Sequence, residues 1–357
     1  MTLKDLGYNI DFENCRKDQN LESFGVGRVI SEHKERYVVK TTENEYDAEI
    51  TGNLRFSAHQ RSGFPAVGDW VAISEYGEDK VLIHSIFQRN NVIERQEVGK
   101  QGEKQIIATN IDFAFIVQAV NRDFNINRIE RYLTICNTSS VKPIIILNKI
   151  DLIEDTELTK LIAKVQDRIK QAPLLTISNE TLIGIDRLKE SIIKGKTYCL
   201  LGSSGVGKST LLNNLAGKQF MKTNTISTST NKGRHVTSHR ELLVLENGGI
   251  LIDNPGMREV GITDSSDGIE ITFETIVGLS KDCKFNDCTH STEIDCAVIA
   301  AVESGEIDKS SYENYLKMER EKEHFESTIA EKRKKDKDFG KMIKIFKKDK
   351  KSNKYKS

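Results

Sequence analysis

The period of apolar positions changes along this 357-residue chain, and the changes mark out its parts. From Gly25 to about Ile86, apolar residues fall in short β-rich runs at 26–30, 37–41, 48–50, 69–73 and 81–86, separated by polar turns. Five such runs with no helical period between them predict a small barrel of the OB-fold type; a β-sandwich or SH3-like barrel fits the same pattern. Residues 1–20 carry no assignable pattern, and polar 97–105 reads as a mobile connector. From Asn110 strands alternate with helices. Strands are expected at 113–117, 144–147, 174–177, 197–201, 242–245 and 250–252, and helices at 127–137, 156–171, 183–193 and 208–216. This alternation predicts a mostly parallel sheet covered on both faces, with ligand at the carboxyl ends of its strands. Beyond about Glu270 a short helical stretch leads to a cysteine cluster. A charged, helix-favouring segment at 310–336 and a disordered lysine tail follow.

Gly202-Ser203-Ser204-Gly205-Val206-Gly207-Lys208-Ser209 is a complete Gly-x4-Gly-Lys-Ser phosphate loop between an expected strand and an expected helix, which continues with Thr210. Its glycines let backbone N–H groups wrap phosphates, and the helix N-terminus adds a positive dipole. Lys208 is expected to reach the β- and γ-phosphates, and the Ser209 hydroxyl to ligate Mg2+. Asp253-Asn254-Pro255-Gly256 ends a strand downstream, where Asp253 would hold Mg2+ through water and the Gly256 N–H would meet the γ-phosphate. Between them, polar 222–239 must supply a hydroxyl that completes the Mg2+ shell. Thr237 is the first choice and Ser238 the second, an exposed loop residue being the plainer reading of either.

Asn148-Lys149-Ile150-Asp151 directly follows the strand at 144–147. The Asp151 carboxylate can accept from both N1–H and the exocyclic amine of guanine, a donor pair that adenine lacks. Asn148 would tie this loop to the phosphate loop, and the Lys149 stem would cover the base. Ser178-Asn179, after the strand at 174–177, would offer a backbone N–H to guanine O6. The guanine reader precedes the phosphate loop, the reverse of an ordinary small GTPase, so the order implies a circularly permuted GTPase. Met257 follows Gly256, where many GTPases carry a Gln that orients the attacking water. His235 is the local candidate for that role, a surface histidine being the alternative. Weak intrinsic hydrolysis accelerated by a partner is the expected consequence.

Composition narrows the setting. A chain 37% hydrophobic and 30% charged reads as soluble. It has no run near the ~18 apolar residues of a membrane span. Residues 1–20 lack a signal-peptide stretch, so a cytoplasmic location is expected. Net charge is zero, yet 341–357 holds eight lysines and one acid, so nucleic-acid attraction would act through local patches. Cys283-x4-Cys288-x-His290-x5-Cys296 offers a Cys3His set that saturates one Zn2+, leaving no open position for water and so predicting a structural site. Cys15, Cys136 and Cys199 are far apart and read as free thiols.

Taken together these motifs resemble those of the RsgA (YjeQ-type) ribosome-dependent GTPases. The resemblance extends to Val67-Gly68-Asp69-Trp70-Val71, to Asp123-Phe124-Asn125 ahead of Arg131-Tyr132-Leu133, to Gly233-Arg234-His235 and to Met257-Arg258-Glu259. It implies an OB-fold at 1–104, a permuted P-loop GTPase domain at 105–272, a mostly helical zinc domain at 273–335 and a basic tail at 336–357. It also implies a GTPase that binds the small (30S) ribosomal subunit and its rRNA late in maturation, is activated there, and leaves after hydrolysing GTP to GDP; a monomer is expected from the lack of any coiled-coil pattern. The chain departs from the family at Val236 and Ser238 around Thr237, at Asn179 where Ala is usual, and at Glu293-Ile294-Asp295 in place of Glu-Pro-Gly. A nucleotide-dependent rRNA-binding scaffold with little turnover is the second reading. An ATPase or small-molecule kinase is disfavoured by Asn148 and Asp151.

Overall fold

A computed structural model describes residues 1–33, 36–58, 61–96, 104–121, 124–217, 240–253, 266–327, 331 and 334. Near its start lie β1 (Gly25–His33), β2 (Arg36–Lys40), β3 (Glu45–Ile50), β4 (Trp70–Glu75) and β5 (Lys80–Ile86). They are hydrogen-bonded in the order β1-β2-β3-β5-β4, and β4 pairs back onto β1, closing a five-stranded barrel. The β3–β5 pairing is parallel and the others antiparallel, which makes this an OB-fold. In β3 the alternation is strict, with Tyr46, Ala48 and Ile50 inside and Glu45, Asp47 and Glu49 outside. That period of two is what made the strands legible.

Residues 1–20 do have structure. A short 3-10 turn at Leu3–Leu6 precedes α1 (Ile10–Asp18), whose first N–H groups are accepted by the Asn9 side chain. Leu6, Phe12 and Leu21 pack with Trp70, Ala72 and Phe87 on the outer face of the barrel. Burying each such side chain contributes about 1.5–3 kcal/mol, and this anchoring is tertiary, so no local pattern announces it. Of the expected connector at 97–105, residues 97–103 lie outside the described residues, and the end at 104–105 needs correction. A helix α2 (Gly52–Ser57) bridges β3 and β4, and after the barrel β6 (Val92–Gln96) pairs antiparallel with β7 (Lys104–Thr109). Lys104 and Gln105 therefore belong to a strand, held by the buried Ile93, Ile106 and Ile107.

The second part alternates β8 (Phe113–Ala119), α3 (Ile126–Thr138), β9 (Lys142–Asn148), α4 (Asp155–Arg168), β10 (Leu174–Ile177), α5 (Ile185–Ser191), β11 (Thr197–Leu201) and α6 (Lys208–Ala216). Two strands follow, β12 (Arg240–Val244) and β13 (Ile250–Asp253). The parallel strands run β10-β9-β8-β11-β13, with β12 antiparallel beside β13. Beyond β12 the ladder continues into β1, so barrel and sheet form one eleven-stranded surface. Helices α3 and α4 cover one face through Ile129, Leu133 and Val165. The other face is covered by α5 and α6 through Leu188, Leu211 and Leu212.

The C-terminal part is helical: α7 (Ser266–Thr272), α8 (Glu274–Ser280), α9 (Ala297–Ser304) and α10 at 309–327. Ile269, Phe273, Ile276, Val298, Ala301, Ile307 and Met318 form its core. It is tied to α3 by polar contacts. Glu130, 3% exposed, accepts from Arg168, Ser311 and Asn314, while Arg131 forms a two-pronged ion pair with Glu321 at 2.7 Å on both prongs. No helix among the described residues is long and apolar enough to cross a membrane.

Candidate functional site

At the carboxyl end of β11, whose five residues are all buried, the chain turns into the glycine loop. Gly202 has φ +146, and a Cβ there would lie 2.4 Å from the Val117 carbonyl oxygen. Gly207 has φ +99 just before α6, and a Cβ there would lie 2.4 Å from Asn148 Nδ2. Both positions need glycine because neighbouring strand ends press on the loop. Lys208 Nζ donates to the Gly202 and Ser203 carbonyls at 2.7 Å each. Ser209 and Thr210 follow in the first turn of α6, half-buried. Buried Tyr132, on α3, lies beside the Ser203 side chain.

The loops after β9 and β10 are bonded to this turn. Asn148, fully buried, donates from Nδ2 to the Val206 carbonyl at 2.7 Å, and its Oδ1 accepts from the Asn179 N–H at 3.3 Å. Lys149 sits at φ +66, and its Nζ reaches the Gly205 carbonyl at 2.7 Å. Asp151 accepts from the Ser178 hydroxyl. That hydroxyl oxygen in turn accepts from the N–H groups of Glu180 and Thr181. The Ser178 N–H is committed to the Ile183 carbonyl at 2.9 Å. Asn179 Nδ2 donates to the Gly207 carbonyl at 2.9 Å, and Asn214 from α6 donates to the Asn179 carbonyl at 3.1 Å.

Sequence reasoning thus placed the phosphate and base motifs in one neighbourhood, and the structure brings Asn148, Lys149, Asp151, Ser178 and Gly202–Thr210 together. It missed Asn214 and the side-chain role of Asn179, which stitch the loops. Only Asn179 carried a signal, as a departure from the family's usual Ala. Asp253 is buried at the end of β13, the neighbour of β11. Gly256, His235 and Thr237 lie outside the described residues.

Cys283, Cys288, His290 and Cys296 bring their ligand atoms within 4.8 Å of one another. The Cys283 and Cys296 sulfurs are 3.8 Å apart, and His290 Nδ1 lies 3.6 Å and 3.5 Å from them. A tetrahedral zinc with ~2.3 Å bonds to sulfur and ~2.0 Å to nitrogen spaces sulfur pairs about 3.8 Å apart and sulfur–nitrogen pairs about 3.5 Å apart. The cluster is compatible with a zinc site. Burial opposes the Cys283 thiolate, but N–H groups of Val298 and Ala297 and neighbouring thiols bring its pKa below the ordinary value. Burial lowers the pKa of His290, favouring the neutral ligand form. Cys296 caps α9, its sulfur accepting from the Ile299 N–H.

The departure at Glu293-Ile294-Asp295 is absorbed locally. Glu293 accepts from the Thr289 hydroxyl and from the N–H groups of Thr289, Ser291 and Thr292, holding the turn that carries His290. Hydrogen bonds from Thr289 lead the causes that pull its carboxyl down to about 2. Asp295 stands where the family pattern has Gly and adopts φ +61, a left-handed conformation that Asp tolerates better than most residues.

Comparison with known proteins places this geometry in a family. The RsgA GTPase family matches residues 86–263. The small ribosomal subunit biogenesis GTPase RsgA 2 of Lactiplantibacillus plantarum is 45% identical over 293 residues, 82% of each chain. The chain belongs to the RsgA GTPase family. Its counterpart in Opitutus terrae is 39% identical over 330 residues, 89% of each chain. Among solved structures, YjeQ from Thermotoga maritima is 26% identical with a TM-score of 0.60, over 85% of this chain and 98% of that one. YloQ, a circularly permuted GTPase, shares the fold at 24% identity with a TM-score of 0.59, over 82% of this chain and 93% of that one. A family described as ABC transporter also matches residues 185–342, a stretch that contains the phosphate loop but not the Asn148–Asp151 loop.

Proposed function

We propose that this RsgA-family chain hydrolyses GTP to GDP and phosphate on the small ribosomal subunit during its late maturation, and that hydrolysis releases it. The observation that carries this reading is the bonding of the Asn148–Asp151 loop to the phosphate loop, in a chain 45% identical to a small ribosomal subunit biogenesis GTPase. GTP would lie with its phosphates in Gly202–Thr210, Lys208 turning from loop carbonyls to the β- and γ-phosphates. Guanine would lie between Lys149 and the Ser178–Asn179 turn, its N1–H and amine on Asp151. The Ser178 N–H bonds the Ile183 carbonyl at 2.9 Å and the Asn179 N–H bonds Asn148 Oδ1 at a longer 3.3 Å, so the Asn179 N–H is the more easily diverted to guanine O6.

Ser209, Thr237 and Asp253 would hold Mg2+, which when bound neutralises charge developing on the phosphates. His235 would orient the attacking water, in place of the Gln that Met257 replaces. Zn2+ on Cys283, Cys288, His290 and Cys296 would be structural, with four protein ligands and no position for water. The proposed divisions are barrel 1–104, GTPase domain 105–272, zinc domain 273–335 and tail 336–357, in a cytoplasmic monomer. The barrel would meet rRNA, with the lysine tail adding salt-sensitive attraction.

GTP turnover by the purified protein, alone and with isolated small subunits, tests this. Large stimulation specific to that subunit is expected, and His235→Ala should abolish most of it. Tight guanine nucleotide binding without stimulation would instead support the scaffold reading.

A further inference from the structure

The amino ends of the parallel strands, opposite the phosphate loop, border a cleft of about 720 Å3. Its walls come from three parts of the fold: the N-terminal segment at 4–12, Arg28 of the barrel, and the starts of β8, β9 and β11 at Asp112, Lys142 and Thr197. Along β11, from Thr197 to Gly202, it lies roughly 16 Å from the phosphate loop, taking about 3.3 Å per residue.

The lining is cationic. Lys4, Arg28, Lys142, Lys194 and Lys196 face only two carboxylates, Asp11 and Asp112. Asp112 is already engaged, accepting from Lys196 Nζ at 2.7 Å and from the Thr197 N–H at 2.8 Å. Lys194 is paired with Asp5 at 2.8 Å. Lys4 and Lys142 remain exposed on the rim, Lys142 over the Phe113 ring.

Arg28 is 1% exposed. It donates to three carbonyls, those of Leu6 at 2.6 Å, Gly68 at 3.2 Å and Asn110 at 3.3 Å. A guanidinium has five N–H donors, so these bonds leave capacity over. None of these partners is a carboxylate. The acids that its charge feels are Asp112 and Asp69, and Asp69 is held by Arg89 at 2.8 Å and 2.7 Å. Burial pulls the Arg28 pKa down to about 10, the mark of a cation kept from water without a bonded counterion. Buried charges are normally paired, and here the cleft is where a counterion fits.

We propose that this cleft binds a small anion carrying two or more phosphate groups, which seals the N-terminal segment and barrel against the rear edge of the GTPase sheet. The volume lies in the range of small-ligand pockets, and a single phosphate leaves most of it unfilled. The same chemistry is offered by the backbone of an RNA, and the test separates the two sources.

Full-length protein saturated with Mg2+ and GDP, so that the nucleotide site is filled, is titrated with sodium pyrophosphate in excess magnesium. Calorimetry gives the affinity, and the backbone amide signals of Gly7 and Gly195 report on the cleft. Saturable one-to-one binding that shifts both signals is expected. Lys4→Glu with Lys142→Glu should weaken it by about tenfold or more, leaving GDP affinity unchanged. The milder Lys4→Ala with Lys142→Ala pair, on exposed side chains, guards against misfolding and should weaken it in the same direction. Absent saturation, shifts confined to 202–208, or binding indifferent to both pairs would overturn the proposal. So would a short single-stranded oligoribonucleotide that occupies the cleft where pyrophosphate does not.

Discussion

Asn148 Nδ2 lies 2.7 Å from the Val206 carbonyl oxygen, so the loop that would read the base is fastened to the loop that would hold the phosphates. The two are 58 residues apart in the chain, and both partners are buried. The same asparagine accepts from the Asn179 N–H, which makes it the hub of three loops.

Asn148→Ala should therefore weaken GTP and GDP together. Leaving the Val206 carbonyl without its donor costs about 1–3 kcal/mol, roughly a 5- to 150-fold loss of nucleotide affinity. Titration with a fluorescent GDP analogue measures this, and the melting temperature of the nucleotide-free protein should fall as well, because the same buried bond is present there. Equal affinity in variant and parent would show that the loops are held some other way.

Asp151→Asn should shift preference from GTP toward xanthosine triphosphate, because the amide offers a donor where the carboxylate offered only acceptors. Competition between the two triphosphates reads the shift. Unchanged GTP selectivity would sink the base-site assignment.

Removing one thiol, as in Cys288→Ser, or stripping metal with a chelator should unfold the segment at 273–310 before the GTPase sheet. One zinc per chain is expected by elemental analysis of the parent, falling well below one in the variant. The segment has a small core, so a bound metal would supply much of its folding free energy.

Arg168→Ala strands the carboxylate of Glu130 in the seam between α3, α4 and α10. Breaking a buried pair from one side costs about 3–5 kcal/mol, so the denaturation midpoint should drop sharply. Its exposed partner Asp308 also caps α10, accepting from the Ser311 N–H at 3.0 Å, so Asp308→Ala should cost about 0.5–2 kcal/mol, mostly through the lost cap.

Asp295→Gly should be neutral to stabilising, by up to about 1 kcal/mol, since glycine takes φ +61 without a Cβ penalty. The exposed Lys284 pair it forfeits is worth little. Thermal melting of the zinc-loaded protein measures the difference.

Barrel strands β2, β3 and β5 were legible because each alternates one face inward, β1 and β4 were legible as short apolar runs between turns, and β10 and β11 matched residue for residue because apolar runs bounded by loops leave little choice. Segment 1–20 was not legible, since α1 is held by Trp70 and Phe87, fifty and more residues away. The β6–β7 hairpin was missed for a related reason: its polar positions hide the buried Ile93, Ile106 and Ile107 until β7 is paired. The site divides in the same way. Glycine spacing and Asn-Lys-x-Asp announce their chemistry because particular side chains must stand at particular offsets along the chain. Asn214 and the Asn179 side chain have no such offset, since their roles arise only where loops from separate strands meet.

By itself, then, the sequence determined the barrel, the alternating sheet, the phosphate and base motifs in permuted order, and the Cys3His set. Each of these depends on periodicity or spacing within a short stretch. Three-dimensional packing was needed to show that β12 joins barrel and sheet into one surface, that α3 is tied to Glu321, and that Arg28 lies buried beside a cationic cleft. Those relationships depend on which distant residues are brought together, and packing fixes that only when the whole chain closes on itself.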